Sequence, residues 1–208
     1  MDKKKRAKEA VLTLKEVYPA ACSLEAVQDF ELLFAARLSA QCTDARVNLV
    51  TPVLFQKFPT LSDFAGADVG EIEEIIKPCG LYHTKARDLK LCAAALLERF
   101  GGRVPGTMEE LLSLPGVGRK TANLILGDIF KKPAVVADTH CIRITNRLGL
   151  CDSKDPYKVE LQLKKIVEPE EQNDFCHRLV FFGRDICKAK NPECFRCPLS
   201  GGCPSARK

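Results

Sequence analysis

The chain has 208 residues, 46% hydrophobic and 28% charged, which suffices for one large domain or two small ones around a real core and excludes a disordered chain. Its longest apolar run, Leu91–Leu97, is far short of the ~20 residues of a membrane span. The basic start Lys3-Lys4-Lys5-Arg6 has no apolar stretch behind it, so a cytoplasmic protein without a secretory signal is expected. The net charge of +5 permits a polyanionic partner without demanding one.

The patterning predicts helices joined by short turns and no period-2 strand, hence an all-α protein. Lys3–Tyr18 is a charged helix with Val11, Leu12, Leu14 and Val17 toward one face, stopped at Pro19. Asp29 is a candidate cap for an apolar helix, Phe30–Ala40. Thr43-Asp44 opens another toward Lys57, with Pro52 inside it as a kink or break. Asp68 precedes Val69–Lys77, and Thr84 precedes Lys85–Phe100, which Gly101-Gly102 ends. Thr107 and Glu110 have capping-box spacing and open a short helix to Ser113. Gly118–Phe130 and Thr139–Leu148 follow. Asp155-Pro156 opens a helix to Val167, and the last runs from Glu170 to Ile186. No repeat and no long linker marks a boundary.

Three groups of residues carry chemistry. In Leu114-Pro115-Gly116-Val117-Gly118-Arg119-Lys120-Thr121-Ala122, proline and two glycines shape a turn that feeds a helix start. Outward amides and the positive end of the helix dipole make this an anion site suited to a backbone phosphate. Lys120 follows that loop; the helix start and Arg119 both disfavour its charged form, which suits an amine nucleophile. Asp138 precedes the helix at Thr139, where it serves as a cap and stays ionised and oriented.

The third group is Cys187, Cys194, Cys197 and Cys203, four of the eleven cysteines gathered in the last 22 residues. Such crowding in a reducing compartment predicts a metal site. Zinc is one occupant, but only Cys194–Cys197 has the two-residue spacing of a zinc knuckle. The other seven, Cys22, Cys42, Cys79, Cys92, Cys141, Cys151 and Cys176, read as buried small hydrophobes. In the loop Lys188–Glu193, Glu193 is expected to repel phosphate and lower the loop's contribution to affinity.

The segment Leu114–Ala122 resembles the helix–hairpin–helix signature of the endonuclease III family of DNA glycosylases. Leu38-Ser39-Ala40-Gln41 with Thr43-Asp44, Gly80-Leu81-Tyr82 with Thr84-Lys85-Ala86, and Asp138-Thr139-His140 with Arg143 resemble the same family, in its order. The resemblance implies a two-lobed helix–hairpin–helix glycosylase fold. Residues 22–132 would form a six-helix barrel; residues 1–21 and 133–208 would form an iron–sulfur cluster lobe. It implies a base excision repair glycosylase with AP-lyase activity that removes oxidised pyrimidines and cleaves 3′ to the abasic site. Lys120 would attack C1′ and form a Schiff base, and Asp138 would stabilise positive charge on the sugar and assist proton transfer. A family member that only removes adenine typically has serine where Lys120 stands. Cys187, Cys194, Cys197 and Cys203 would hold a [4Fe-4S] cluster in a structural role. Gly116, Gly118 and Arg119 would bind DNA, Gln41 and Leu81 would enter the duplex, and His140 would line the site. The implied partner is double-stranded DNA with damaged bases or abasic sites, bound by a monomer associated with the nucleoid.

Overall fold

A computed structural model describes residues 2–207, which form α-helices and short 3-10 turns with no strand among them. They divide into two compact units, Ser23–Phe130 and Met1–Cys22 with Lys131–Lys208. No helix among the described residues is long and apolar enough to cross a membrane.

The unit Ser23–Phe130 contains α2 (Asp29–Leu38), α3 (Asp44–Lys57), α4 (Leu61–Gly66), α5 (Val69–Ile76), α6 (Tyr82–Phe100), α7 (Met108–Leu112) and α8 (Arg119–Asp128). Several start where side chains satisfy orphan amides. Thr43, Thr107 and Asp68 accept from Arg46, Glu110 and Gly70 amides, respectively. At α2 the cap is Gln28 rather than Asp29: the Glu31 carboxylate accepts from the Val27 and Gln28 amides at 2.7 and 3.1 Å, and Asp29 becomes the first helical residue. Pro52 lies inside a continuous α3 instead of breaking it. The six-residue α4, absent from the sequence expectation, begins at a Thr60–Asp63 capping box. Its Phe64 is fully buried, 4.9 Å from Phe34 and 5.3 Å from Phe58 between ring centres. That aromatic cluster is the heart of this unit's core.

The second unit contains α1 (Lys3–Val17), α9 (Thr139–Arg147), α10 (Pro156–Lys164) and α11 (Gln172–Asp185). α1 buries Ala7, Ala10, Val11 and Leu14, and packs on α11, whose Phe175, Leu179 and Phe182 are buried. Tyr18 closes the pair, its ring 6.0 Å from Phe182 and its hydroxyl donating to Asp185 at 2.7 Å. Lys15 bonds Glu171, and Arg178 donates to Glu171 and Asp174 at 3.3 and 3.2 Å. Of the seven cysteines expected in apolar surroundings, five are buried, whereas Cys22 and Cys42 are half-buried.

Lys15, with Arg178 behind it, holds the Glu171 carboxyl below its ordinary value. A depressed carboxylate stabilises the fold above its unfolded pKa and loses that contribution as pH falls through the folded one. Thermal stability is therefore expected to drop as pH falls below the usual carboxylate range. Glu171→Gln should flatten that part of the profile in melting curves; an unchanged profile would remove Glu171 from acid sensitivity.

Candidate active site

The hairpin connects α7 to α8. Leu111, Leu114 and Val117 bury its apolar side, and the Val117 amide donates to the Leu114 carbonyl at 3.2 Å. The two glycines have different jobs. Gly116 has φ +73°, and a Cβ there would stand 2.7 Å from both Arg37 Nε and Asp88 Oδ2. Those side chains form an ion pair at 2.6 Å beneath the turn. Gly118 has φ −98°, which any residue adopts, and a Cβ there would meet nothing within 4 Å. Its value lies in leaving the start of α8 uncovered: it caps with no side chain, and Arg119 and Lys120 follow. Lys120, the second residue of α8, is exposed and makes no ion pair among the described residues.

Two more segments of this unit present predicted residues. Gln41 follows α2 at φ +56°, and Leu81 precedes α6 at φ +51°. Both are exposed, and Leu81 is 54% accessible despite its apolar side chain. A non-glycine residue held left-handed costs about 1–3 kcal/mol, so each persists only where its surroundings dictate it. Here α6 starts at Tyr82, not at Lys85 as the capping residue Thr84 suggests. The carbonyl of Leu81 accepts from the Lys85 amide at 3.0 Å. Lys85 is fully buried, and its Nζ donates to the carbonyls of Leu38 and Cys79 at 2.8 and 2.9 Å. Burial lowers its pKa. Burial and the neighbouring Cys42 push the Cys79 thiol up to about 11. Sequence reasoning assigned Lys85 no role. The available signal was a lysine in the helical stripe of Leu89, Cys92 and Leu96, which are all buried.

In the other unit, Asp138 caps α9 as expected, its Oδ1 accepting from the Cys141 amide at 2.6 Å. His140 lies 3.3 Å from the Arg143 guanidinium through Nδ1. Both crowd Gly183, where a Cβ would fall 2.4 Å from His140 Nδ1. α9 also organises the cysteine segment. Arg143 donates to the Cys187 carbonyl at 2.9 Å. Arg147 donates to the Lys188 and Ala189 carbonyls at 2.7 and 2.9 Å and to Cys187 Sγ at 3.4 Å.

Cys187, Cys194, Cys197 and Cys203 line one cavity, together with Leu148, Phe182 and Ile186. Burial, followed by the other sulfurs' charges, raises the thiol pKa of Cys197 and Cys203. A cation among them would reverse that preference. Among the described residues, no three of the sulfurs lie within 4.8 Å of one another. Glu193 is not the free negative charge expected of it: Lys188 and Arg196 both bond its carboxylate and hold its pKa down.

The HhH-GPD superfamily of base excision DNA repair proteins matches residues 34–169. Endonuclease III of Synechocystis sp. is 45% identical over 99% of the chain and 94% of its own length. The chain belongs to the endonuclease III family. Endonuclease III of Bacillus subtilis is 44% identical over 93% of the chain and 89% of its own length. A trapped endonuclease III–DNA covalent intermediate superposes with a TM-score of 0.93 at 42% identity, covering 99% of the chain and 98% of that one. A thermostable thymine-DNA glycosylase follows at 0.85 and 26%, covering 98% and 96%. The chain is thus a base excision repair DNA glycosylase of the endonuclease III family, an enzyme with AP-lyase activity, on the HhH-GPD fold.

Proposed function

We propose that the chain, as a monomer, binds double-stranded DNA, removes oxidised pyrimidines and cleaves the abasic site by β-elimination. The observation that carries this reading is Lys120, an exposed amine with no ion pair, just past the hairpin turn. Its nitrogen attacks C1′, the glycosidic bond breaks, and the base leaves with a proton. The C1′–O4′ bond then breaks with a proton passing to O4′, opening the sugar to an iminium that acidifies the C2′ hydrogen; loss of that proton expels the 3′ phosphate, and water then releases the lysine. Asp138, oriented by its bond to the Cys141 amide, stabilises positive charge on the sugar and assists proton transfer. The start of α8, with Gly116, Gly118 and Arg119, binds backbone phosphate. Gln41 and Leu81 occupy the space that the extruded base leaves, and His140 lines the site. Borohydride trapping on duplexes with an oxidised pyrimidine, an abasic site or an adenine mismatch tests this. A covalent adduct is expected on the first two; trapping on the mismatch alone would replace the reading.

Cys187, Cys194, Cys197 and Cys203 would hold a [4Fe-4S] cluster, which supplies cross-links to the C-terminal segment and no step of base excision. The donor set fits: four thiols share one cavity with apolar side chains.

Asp138→Asn should lower single-turnover base release by roughly 10²-fold or more while keeping DNA affinity. Asparagine caps helices as well as aspartate, so stability should stay within ~0.5 kcal/mol. An unchanged turnover rate would take Asp138 out of the chemistry.

Gly118→Val places a side chain at the start of α8, where its Cβ would meet nothing within 4 Å. It should weaken every duplex about equally, by about 1.5–3 kcal/mol of charge-assisted hydrogen bonding, because phosphate contacts carry no sequence information. Titrations against damaged and undamaged DNA read this, and unchanged affinity would reduce the hairpin to a turn between core helices. Gly116 is unsuited to the test, since any side chain there is strained and collides with Arg37 and Asp88.

A further inference from the structure

Lys85 is a buried cation with no carboxylate partner among the described residues. Taking an ammonium out of water costs stability unless its hydrogen bonds and surroundings compensate. A methionine would fill the same space without that penalty, so packing does not account for the charge. What the ammonium alone supplies is several donors on one atom. Two of them tie together backbone segments that are far apart in sequence: the end of α2, through Leu38, and the turn before α6, through Cys79. Gln41 lies three residues after Leu38, and Leu81 two residues after Cys79. Both are exposed side chains held at positive φ, and strain of this kind collects at functional positions. The Lys85 amide holds the Leu81 carbonyl as well, so one residue grips that segment by backbone and side chain.

We propose that Lys85 is the positioning residue that sets Gln41 and Leu81, through its bridge between the Leu38 and Cys79 carbonyls, in the conformations with which they fill the duplex. This rests on the reading of Gln41 and Leu81 as residues that enter DNA. Free of the bridge, the two left-handed residues relax toward ordinary backbone angles. Ordering them then falls to the binding step, which lowers affinity where a base is displaced. Attraction to undamaged DNA, carried by phosphate contacts elsewhere, is untouched.

Lys85→Met is the test. The ratio of affinity for an abasic duplex to affinity for an undamaged duplex should fall on the order of tenfold, with undamaged-DNA affinity constant. With 2-aminopurine opposite the abasic site, the fluorescence gain that reports its unstacking in the wild-type complex should shrink. In a Gln41→Ala/Leu81→Ala background, Lys85→Met should change neither readout further, since nothing is left to position. Lys85→Gln, able to reach one carbonyl, should fall between wild type and Lys85→Met, and it serves as the variant if methionine does not fold. An unchanged ratio, an equal loss on both duplexes, a full additional effect in the double-alanine background, or failure of both variants to fold would each make Lys85 a structural residue and overturn the proposal. If Gln41→Ala and Leu81→Ala themselves left the ratio unchanged, the reading of those two residues would fail, and the proposal with it, whatever Lys85→Met did.

Discussion

Lys120→Ala is expected to abolish covalent trapping on abasic and oxidised-pyrimidine duplexes while leaving a folded protein that still binds them. Trapping by borohydride requires an imine between a lysine and C1′; without the amine no bond exists to reduce. Strand cleavage should fall on the order of 10³-fold or more, the scale seen when a nucleophile is removed outright. The fold should not notice. Lys120 is exposed, has no ion pair among the described residues and occupies the second position of α8, where alanine is the best helix former. Its stability should stay within about 0.5 kcal/mol of wild type, as for surface substitutions away from caps and cores. Gel detection of the adduct and a melting curve settle both halves. Full trapping by the alanine variant would hand the nucleophile to another residue, and a large loss of stability would mean that the side chain holds the hairpin.

The hairpin and the cap at Asp138 were legible because their chemistry is local. Pro115, Gly116 and the helix start lie within a few residues, and Asp138 bonds an amide three residues on. The Thr107–Glu110 box was legible for the same reason. α4 has no legible period because six residues are too few to show one, although the Thr60–Asp63 spacing marks its start. The start of α6 was misplaced because Thr84 is a good capping residue, whereas Leu81 at φ +51° is a poor one. The Lys85 bridge beside it joins Leu38 and Cys79, which no local pattern connects. The two glycines of the hairpin looked equivalent in sequence. Only the Arg37–Asp88 pair, brought from α2 and α6, separates the one that must lack a side chain from the one that leaves amides open. Glu193 reads as a repulsive charge in sequence because only the folded segment brings Lys188 and Arg196 onto its carboxylate.

Cys194→Ser is expected to bleach the protein and release its C-terminal segment. The purified wild-type protein should be yellow-brown with about four iron atoms per chain, from thiolate-to-iron charge transfer that d¹⁰ zinc does not give. The segment from Cys187 onward has little else to order it. Of its two large apolar side chains, Leu199 is buried but Phe195 is 88% exposed. Its exposed ion pairs, such as Arg196 with Asp185, are screened by water and add little. Arg147 holds its first turn by the Lys188 and Ala189 carbonyls, and Cys203 Sγ donates to the Arg147 carbonyl at 3.4 Å. Those bonds are few beside the ~10–16 kcal/mol with which thiolate-bound zinc orders comparable small segments. Loss of one thiolate should therefore lower iron content and visible absorbance together, and open sites after Lys188 and Lys190 to trypsin. The aromatic core around Phe64, in the unit Ser23–Phe130, should keep its near-ultraviolet signature. A colourless wild-type protein with stoichiometric zinc would replace the cluster with a zinc site. A serine variant lacking iron yet equally protease-resistant would mean that Arg143, Arg147 and Leu199 order the segment unaided, leaving four converging thiols without a structural purpose.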